Sequence, residues 1–324
     1  MTTGRLRARV RRAGFAALAA GLVCAATACG SGNDDTGAGS TTVTHVMGET
    51  RIDGVPKRVV TLGPQWLDAA LALGVTPVGY VVPGMTAASS VPWEPKLPDS
   101  AKQLTMTGDY TEQIAALEPD LILGPSFMLD KNTYEKFSKL APTIDSLSNA
   151  QIDPWQDQVT TLGKVLHKQD EAAKVVADVN GEIDAVAAKH PGLHGKTFLT
   201  CMLTGPAQLM VLADPKDGSA ALFERLGLTM PDKIVAEAPA GGRLALSPER
   251  SSDLTADLLV CGAMPALEAK FKELPGYGEL PSVRHNGIAF VDVVAINAIN
   301  QPTALSVPYV LEKLEPTFAN VAGS

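Results

Sequence analysis

The sequence YTEQIAALEPDLIL, residues 110–123, decides the fold because a related stretch, SPERSSDLTADLLV, occurs at residues 247–260. At this constant offset Glu112 matches Glu249, and an Asp-Leu pair recurs further along. In both stretches a polar segment with a glutamate near its start leads into an apolar run, which is typical of a helix followed by a buried strand. The repetition predicts two related units in one chain.

Alternating strand and helix patterns surround both copies. In the first half, KRVVTLG (57–63) and TPVGYVV (76–82) predict buried strands on either side of a helical WLDAALALGV (66–75). In the second half, KTFLTCML (196–203) and GIAFVDV (287–293) repeat the strand pattern. Strands that alternate with helices indicate parallel sheets covered by helices on both faces.

The stretch from Pro154 to His190 joins the two halves. Beyond Pro154 it contains no proline, and its apolar residues recur at three- and four-residue steps, which predicts one long amphipathic helix. The predicted fold class is therefore α/β, with two Rossmann-like lobes on parallel-type sheets joined by one long rigid α-helix. The predicted boundaries are an N-terminal lobe at 46–152, a connecting helix at 153–190 and a C-terminal lobe at 191–324.

The N-terminus has the pattern of a lipoprotein signal peptide over residues 1–28. Arginines precede the apolar run AGFAALAAGLVCAATA, which is shorter than the roughly 20 residues that a transmembrane helix needs. The sequence ATAC (26–29) resembles a bacterial lipobox, so Cys29 is predicted to carry a lipid and residues 29–45 to form a flexible tether. This predicts export and lipid anchoring to the outer face of the cell membrane. The sequence leaves open whether the leader is an uncleaved anchor, and whether export uses the Sec or the Tat pathway.

The charge balance excludes one broad class of partner. The chain has a formal net charge of −8, but the basic leader hides a body with 22 basic against 35 acidic residues. A body with this excess of acid is unsuited to the phosphate backbone of nucleic acid. No nucleic-acid partner is therefore expected.

Five segments carry a family resemblance. They are PKRVVTLG, LDAALALGVTPVGY, YTEQIAALEPDLILG, LSPERSSDLTADLLV and LPSVRHNGIAFVD. In this order, with a long helix between the halves, they resemble the periplasmic binding proteins of iron-siderophore and vitamin B12 ABC importers over residues 46–320. The resemblance implies a monomeric transport receptor, not an enzyme, which captures a ferric siderophore between its lobes and delivers it to the permease.

The resemblance also implies a role for the repeated glutamates. Glu112 and Glu249 stand at the positions where members of the family dock onto arginines of two permease subunits. A glutamate in a first helical turn has a plainer explanation as well, because it complements the helix dipole. Each residue alone fits either explanation, while the matched placement on two lobes favours docking.

Ligands of parallel α/β lobes bind beyond the carboxyl ends of the strands, and this rule selects the candidate binding residues. Arg243 leads them because it stands four residues before Ser247, close to a position that contacts ligand in B12-type members. Its guanidinium suits the oxygen donors around ferric iron, and the alternative is a pair with a surface acid such as Glu237. The other candidates are Trp66, Tyr80, Trp93, Tyr110 and Asn297. For the aromatic ones, core or rim packing is the alternative.

No resident cofactor or metal site is expected. The histidines do not fall at predicted strand ends and C-x-x-C spacing is absent, so the iron would arrive already chelated. Cys201 and Cys261 lie in apolar runs and are predicted to be two buried thiols, with a disulfide as the alternative. The alternative functions are a haem or cobalamin binder of the same transporter class, a zinc or manganese binder, a binding protein that has lost its ligand, and an enzyme. Against an enzyme, the sequence contains no catalytic motif.

Overall fold

The first lobe is a five-stranded parallel sheet with the order β5-β4-β3-β6-β7. The computed structural model describes residues 39–82, 91–105, 110–205, 208–262 and 265–324, without the side chains of 265 and 266; the predicted leader and Cys29 lie outside these residues. The strands are β3 (Val59–Leu62), β4 (Gly79–Val81), β5 (Lys102–Gln103), β6 (Leu121–Leu123) and β7 (Thr143–Ile144). The helices are α1 (Pro64–Ala72), α2 (Tyr110–Ala115) and α3 (Lys131–Phe137). Every residue of β3 and β6 is buried, as expected for strands covered on both faces.

A β-hairpin precedes this sheet and shortens the predicted tether. Strands β1 (Ser40–His45) and β2 (Gly48–Asp53) pair antiparallel, and the backbone N–H of Val46 donates to the carbonyl of Ser146. The prediction of a tether up to residue 45 is therefore wrong from Ser40 onward. The sequence STTVTH alternates polar and buried positions with β-branched residues, which is a strand pattern. Its continuity with the Gly- and Ser-rich segment before it concealed that pattern.

The predicted single connecting helix is two helices. They are α4 (Trp155–Val165) and α5 (Gln169–Lys189), and between them His167 adopts a left-handed backbone with φ of 54°. A Cβ on Gly163 would lie 2.4 Å from that of Ala172, so this glycine permits close packing of α4 on α5. Because α4 also packs on α1, it belongs to the first lobe. The connection is α5 alone, 21 residues and about 31 Å long.

The second lobe has a mixed sheet with the order β10-β9-β8-β11-β12. Its strands are β8 (Phe198–Gly205), β9 (Gln208–Leu212), β10 (Arg243–Leu246), β11 (Leu258–Gly262) and β12 (Ile288–Val291). Its helices are α6 (Ala221–Arg225), α7 (Asp232–Ala236), α8 (Pro265–Lys272), α9 (Pro281–Arg284), α10 (Val293–Asn300) and α11 (Ser306–Ala322). Strands β8, β11 and β12 are parallel, whereas β9 is antiparallel to both of its neighbours. The expectation of a parallel sheet thus fails at β9, which follows β8 after two residues, too few for the helical crossover that a parallel neighbour needs.

One continuous hydrophobic core links the lobes. It contains Trp66 from the first lobe, Trp155 from α4, Ile183 from α5, and Phe198 and Phe318 from the second lobe. Residues 38–324 accordingly form one compact unit. Within the described part of the chain, no helix combines the length and the apolar character needed to cross a membrane.

A disulfide joins the two buried cysteines, so the prediction of free thiols is wrong. Cys201 on β8 and Cys261 on β11 are register partners in adjacent parallel strands, and their Cα atoms are 4.6 Å apart. Both side chains are buried in the core of the second lobe. The bond closes a loop across 60 residues of sequence, which includes β9 and β10. The register that brings the two sulfur atoms together is a tertiary property, which the local sequence does not reveal.

Candidate functional site

The loops at the carboxyl edge of the first sheet contact the second lobe. The backbone N–H of Gly218 donates to the carbonyl of Ile152 at 2.8 Å, and a Cβ on Gly241 would lie 3.2 Å from Oε1 of Gln151. The inter-lobe junction is defined here by these contacts, between residues 145–154 of the first lobe and residues 213–219 and 241–243 of the second. It is the edge at which ligands of parallel α/β sheets bind.

Arg243 lies at this junction and is held by a buried acid. Its Nη1 donates to Oδ2 of Asp217 at 3.1 Å and its Nη2 to Oδ1 at 3.3 Å, while Nη2 also reaches Oγ of Ser219 at 3.3 Å. The Asp217 side chain is fully buried and the Arg243 side chain keeps 23% of its surface exposed. Arg243 is therefore in an ion pair, but its partner is the buried Asp217 and not the surface acid Glu237 that the sequence suggested, since Glu237 pairs with Arg250. Contact between Arg243 and a ligand stays a prediction.

Two of the predicted aromatic residues serve packing. Trp66 is only 1% exposed and sits in the shared core, so it cannot form a wall of an open site. Trp93 packs its ring on Tyr309 of α11 with centroids 5.1 Å apart, and its indole Nε1 donates to Oδ2 of Asp68 at 3.0 Å. Trp93 therefore braces the first lobe against α11.

The remaining predicted residues stay partly accessible. Tyr110 begins α2 with its ring at the edge of Phe137, at 5.7 Å, and Tyr80 is half-buried on β4. Asn297 is half-buried within α10, where the sequence had suggested a loop. Phe127, on the loop after β6, is 45% exposed. The rule of carboxyl strand ends selects its loop, yet only the structure shows that an aromatic side chain is presented there.

The carboxyl groups of Asp68 and Glu94 lie close together beside Trp93. Burial raises the pKa of Asp68 well above its ordinary value, and the negative charge of nearby Glu94 raises that pKa further. Burial also raises the pKa of Glu94. The hydroxyl of Thr303, which precedes α11, donates to Oδ2 of Asp68. Because Asp68 lies on α1 and Thr303 on the second lobe, these groups tie the lobes together beside the core.

Acidic side chains shape the loops of the first lobe at the junction. Asp145, directly after β7, accepts hydrogen bonds from the hydroxyl of Ser126 and from the backbone N–H of Ser146, both at 2.6 Å. Asp153 accepts from the backbone N–H and the hydroxyl of Ser148 at 2.9 and 2.7 Å. Burial raises the pKa of both carboxyls. These bonds fix the conformation of the first-lobe loops at the inter-lobe junction.

The two repeated glutamates are exposed, one on each lobe. Glu112 lies in the first turn of α2, and Glu249 lies in the first turn of a short 3-10 helix, Pro248–Asp253. Hydrogen bonds from its own backbone N–H and from the Ser247 side chain lower the pKa of Glu249. Both side chains are thus available to a partner.

Two further features of the described residues concern metal-ligating side chains and cavities. Among the residues that the structure describes, no three His, Cys, Asp or Glu side chains are grouped so as to hold a metal ion. A groove of about 760 Å³ lies between α5, α11 and the segment at Trp93. Its lining includes Glu182, Tyr309 and Glu312, and of the predicted binding residues it contains Trp93 alone.

Comparison with known proteins adds independent evidence on the fold and family. The family model described as "Periplasmic binding protein" matches residues 59–294. A probable siderophore-binding lipoprotein of Bacillus subtilis is 29% identical over 217 residues, which are 65% of this chain and 64% of that protein. An Fe(3+)-citrate-binding protein of the same organism is 30% identical over 212 residues, 62% of this chain and 65% of that protein. The matches therefore span just under two thirds of the length of these relatives.

Solved structures match over most of the chain. A periplasmic solute binding protein of Mycobacterium smegmatis is 30% identical, with 88% of this chain and 99% of that chain covered and a TM-score of 0.72. An iron uptake ABC transporter substrate-binding protein of Streptococcus pneumoniae is 24% identical, with 87% and 99% covered and the same TM-score of 0.72. The second likeness bears on the fold alone. Together these structures confirm the predicted α/β fold.

Proposed function

This chain belongs to the periplasmic binding protein family, and on that premise we propose that it is the substrate-binding lipoprotein of an ABC importer for ferric siderophores. The observation that carries the proposal is the architecture: two α/β lobes are linked by α5 and meet at the carboxyl edge of the first sheet. Such an edge is where this kind of fold binds small molecules. Relatives named for siderophore and ferric citrate binding support the ligand class.

The ligand would lie at the inter-lobe junction. Arg243 would offer its Nε–H to a ligand oxygen without displacing that oxygen from iron, because both Nη nitrogens already contact Asp217, Gly242 and Ser219. Phe127, Tyr80 and Tyr110 offer partly exposed aromatic surface on the first lobe, and Asn297 an amide on the second. Because one helix and a continuous core link the lobes, we expect a largely preformed site that closes little on binding.

Delivery would use the exposed glutamates. Glu112 and Glu249 place one carboxylate on each lobe, so that the two subunits of a two-fold permease can each contact one lobe. Each exposed ion pair contributes only about 0–1 kcal/mol, and its value lies in orientation and association rate. The variant Glu112→Ala/Glu249→Ala should slow ferric siderophore uptake about tenfold and leave ligand affinity unchanged. A control with the exposed Glu135→Ala/Glu273→Ala should transport normally, and equal uptake by both double variants would remove the docking role.

The location follows from the same proposal. A lipid on Cys29 would anchor the protein to the outer face of the cell membrane, and the body would act there as a monomer. Cys29 lies outside the residues that the structure describes, and the first strand that it describes is β1, from Ser40. Mass spectrometry of the membrane-bound protein should find a lipid-modified N-terminal cysteine. An unmodified Cys29 in the mature protein would remove the anchor from the proposal.

The ligand class is tested by titration. Tryptophan fluorescence of the protein should change saturably with at least one ferric siderophore from a panel of hydroxamates, catecholates and citrate, because Trp93 and Trp155 lie near the regions where the lobes meet. Haem and cobalamin belong in the same panel. Saturable binding of haem or cobalamin, with no response to any ferric siderophore, would contradict the proposed function.

A further inference from the structure

Charged side chains on the second-lobe side of the inter-lobe junction cancel one another. Arg243 is paired with Asp217, and the loop that carries Asp217 also contains Lys216 and Asp214. The Asp214 carboxylate accepts from the backbone N–H of Lys216 at 2.9 Å, which keeps it on the same short turn. Two acids and two bases leave this side without net charge.

The first-lobe side carries acids and no base. Residues 145–154, which form this side, contain Asp145 and Asp153 but neither lysine nor arginine. With the second-lobe side neutral, the inter-lobe junction as defined above is acidic.

The guanidinium of Arg243 at the junction is not free to form an ion pair with an anionic ligand. Both of its terminal nitrogens contact the fully buried Asp217 carboxylate, and they also contact the Gly242 carbonyl and the Ser219 hydroxyl. An anionic ligand would have to compete with Asp217 for this cation, and an uncompensated buried carboxylate costs more than the new contact gains. Arg243 is therefore left with its Nε–H as the donor for a ligand, and its charge is already neutralised.

The charge of a ferric complex depends on the chelating group. Three hydroxamates, each carrying one negative charge, neutralise Fe³⁺ and give a neutral complex. Three catecholates, each carrying two, leave a complex of charge −3, and carboxylate-rich complexes are anionic as well. Transfer of net negative charge from water to a partly buried site that carries no net positive charge is unfavourable, whereas a neutral complex escapes this penalty.

We infer that this junction binds ferric complexes without net negative charge, of the tris-hydroxamate class, and discriminates against tris-catecholate and carboxylate complexes. The inference rests on the proposed function, namely that the ligand is a ferric siderophore. It makes Asp217 a specificity-determining residue, because Asp217 removes the charge that Arg243 would otherwise offer to an anion.

Equilibrium titration against matched complexes tests the inference. At about 0.15 M salt, where the Debye length is about 8 Å, a neutral ferric tris-hydroxamate should bind at least tenfold more tightly than a ferric tris-catecholate or ferric citrate. Equal or tighter binding of an anionic complex would overturn the inference and leave the proposed function standing. Binding of haem or cobalamin, with no ferric complex bound, would overturn both.

A charge variant provides the second test. Gln151 is exposed on the first-lobe side and faces Gly241, so Gln151→Lys adds a cation opposite Arg243 without disturbing the core. This variant should improve affinity for the tris-catecholate complex about fivefold relative to the neutral one, and the gain should shrink at high salt. Gln151→Met, the neutral control of similar length, should leave the ratio unchanged. An unchanged ratio in Gln151→Lys would show that charge at this junction does not act on the ligand, and would overturn the inference.

Discussion

The Arg243–Asp217 pair predicts an unequal cost of removing its two partners. Arg243→Met leaves a fully buried carboxylate with only the Ser219 donors, so unfolding free energy should fall by about 3 kcal/mol, at the low end for a broken buried pair. Asp217→Asn keeps an oxygen acceptor for Ser219 and frees a guanidinium that already has 23% of its surface in water. Its cost should be about 1 kcal/mol.

The double variant gives the decisive comparison. In Arg243→Met/Asp217→Asn no charge is left buried, so it should be more stable than Arg243→Met alone by about 1–2 kcal/mol. Urea unfolding of the four proteins at neutral pH, followed by far-UV circular dichroism, measures all three differences. If Arg243→Met cost less than about 1 kcal/mol, or if adding Asp217→Asn lowered its stability further, the buried ion pair would not have the energetic role assigned here.

Three further predictions concern stability and binding. Cys201→Ala/Cys261→Ala should lose about 4 kcal/mol of unfolding free energy, because the disulfide closes a loop across 60 residues; a loss below about 1 kcal/mol would contradict this. His45 accepts the backbone N–H of Met47 on Nδ1, and burial lowers the pKa of its imidazole below the ordinary 6.5. The unfolded chain therefore takes up this proton at a higher pH than the folded protein does. Wild-type stability should consequently fall as the pH drops below 6.5. His45→Gln should lack that fall in urea unfolding at pH 5 against pH 7.5, and an equal fall in both proteins would contradict the assignment. Phe127→Ala should keep wild-type stability, since the side chain is 45% exposed, but weaken ferric siderophore binding about tenfold in a fluorescence titration; unchanged affinity would place Phe127 outside the site.

Local sequence patterns were sufficient to predict most of the fold. The strand–helix alternation and the repeat around Glu112 and Glu249 predicted two α/β lobes, because hydrophobic periodicity records which faces are buried. The break between α4 and α5 was missed because His167 adopts a left-handed backbone without the glycine or proline that normally marks such a position. The antiparallel β9 was missed because an apolar run does not record strand direction.

The site was harder to predict because its partners are distant in sequence. Arg243 was identified from its place before Ser247, yet its acid, Asp217, lies 26 residues away on a loop that only the fold brings near. Trp66 was assigned to the site because it follows a strand, but the first turn of α1 directs it into the core. Strand ends therefore indicate which loops face a ligand, while the side chains that reach it depend on tertiary packing.

A crystal structure of the protein with a neutral ferric tris-hydroxamate would show directly where the ligand binds. We expect one iron complex between the lobes, with an oxygen hydrogen-bonded to Arg243, the Asp217 pair intact and Phe127 against the chelator. A complex bound instead in the groove between α5 and α11, or one bound between the lobes without contact to Arg243, would contradict this expectation.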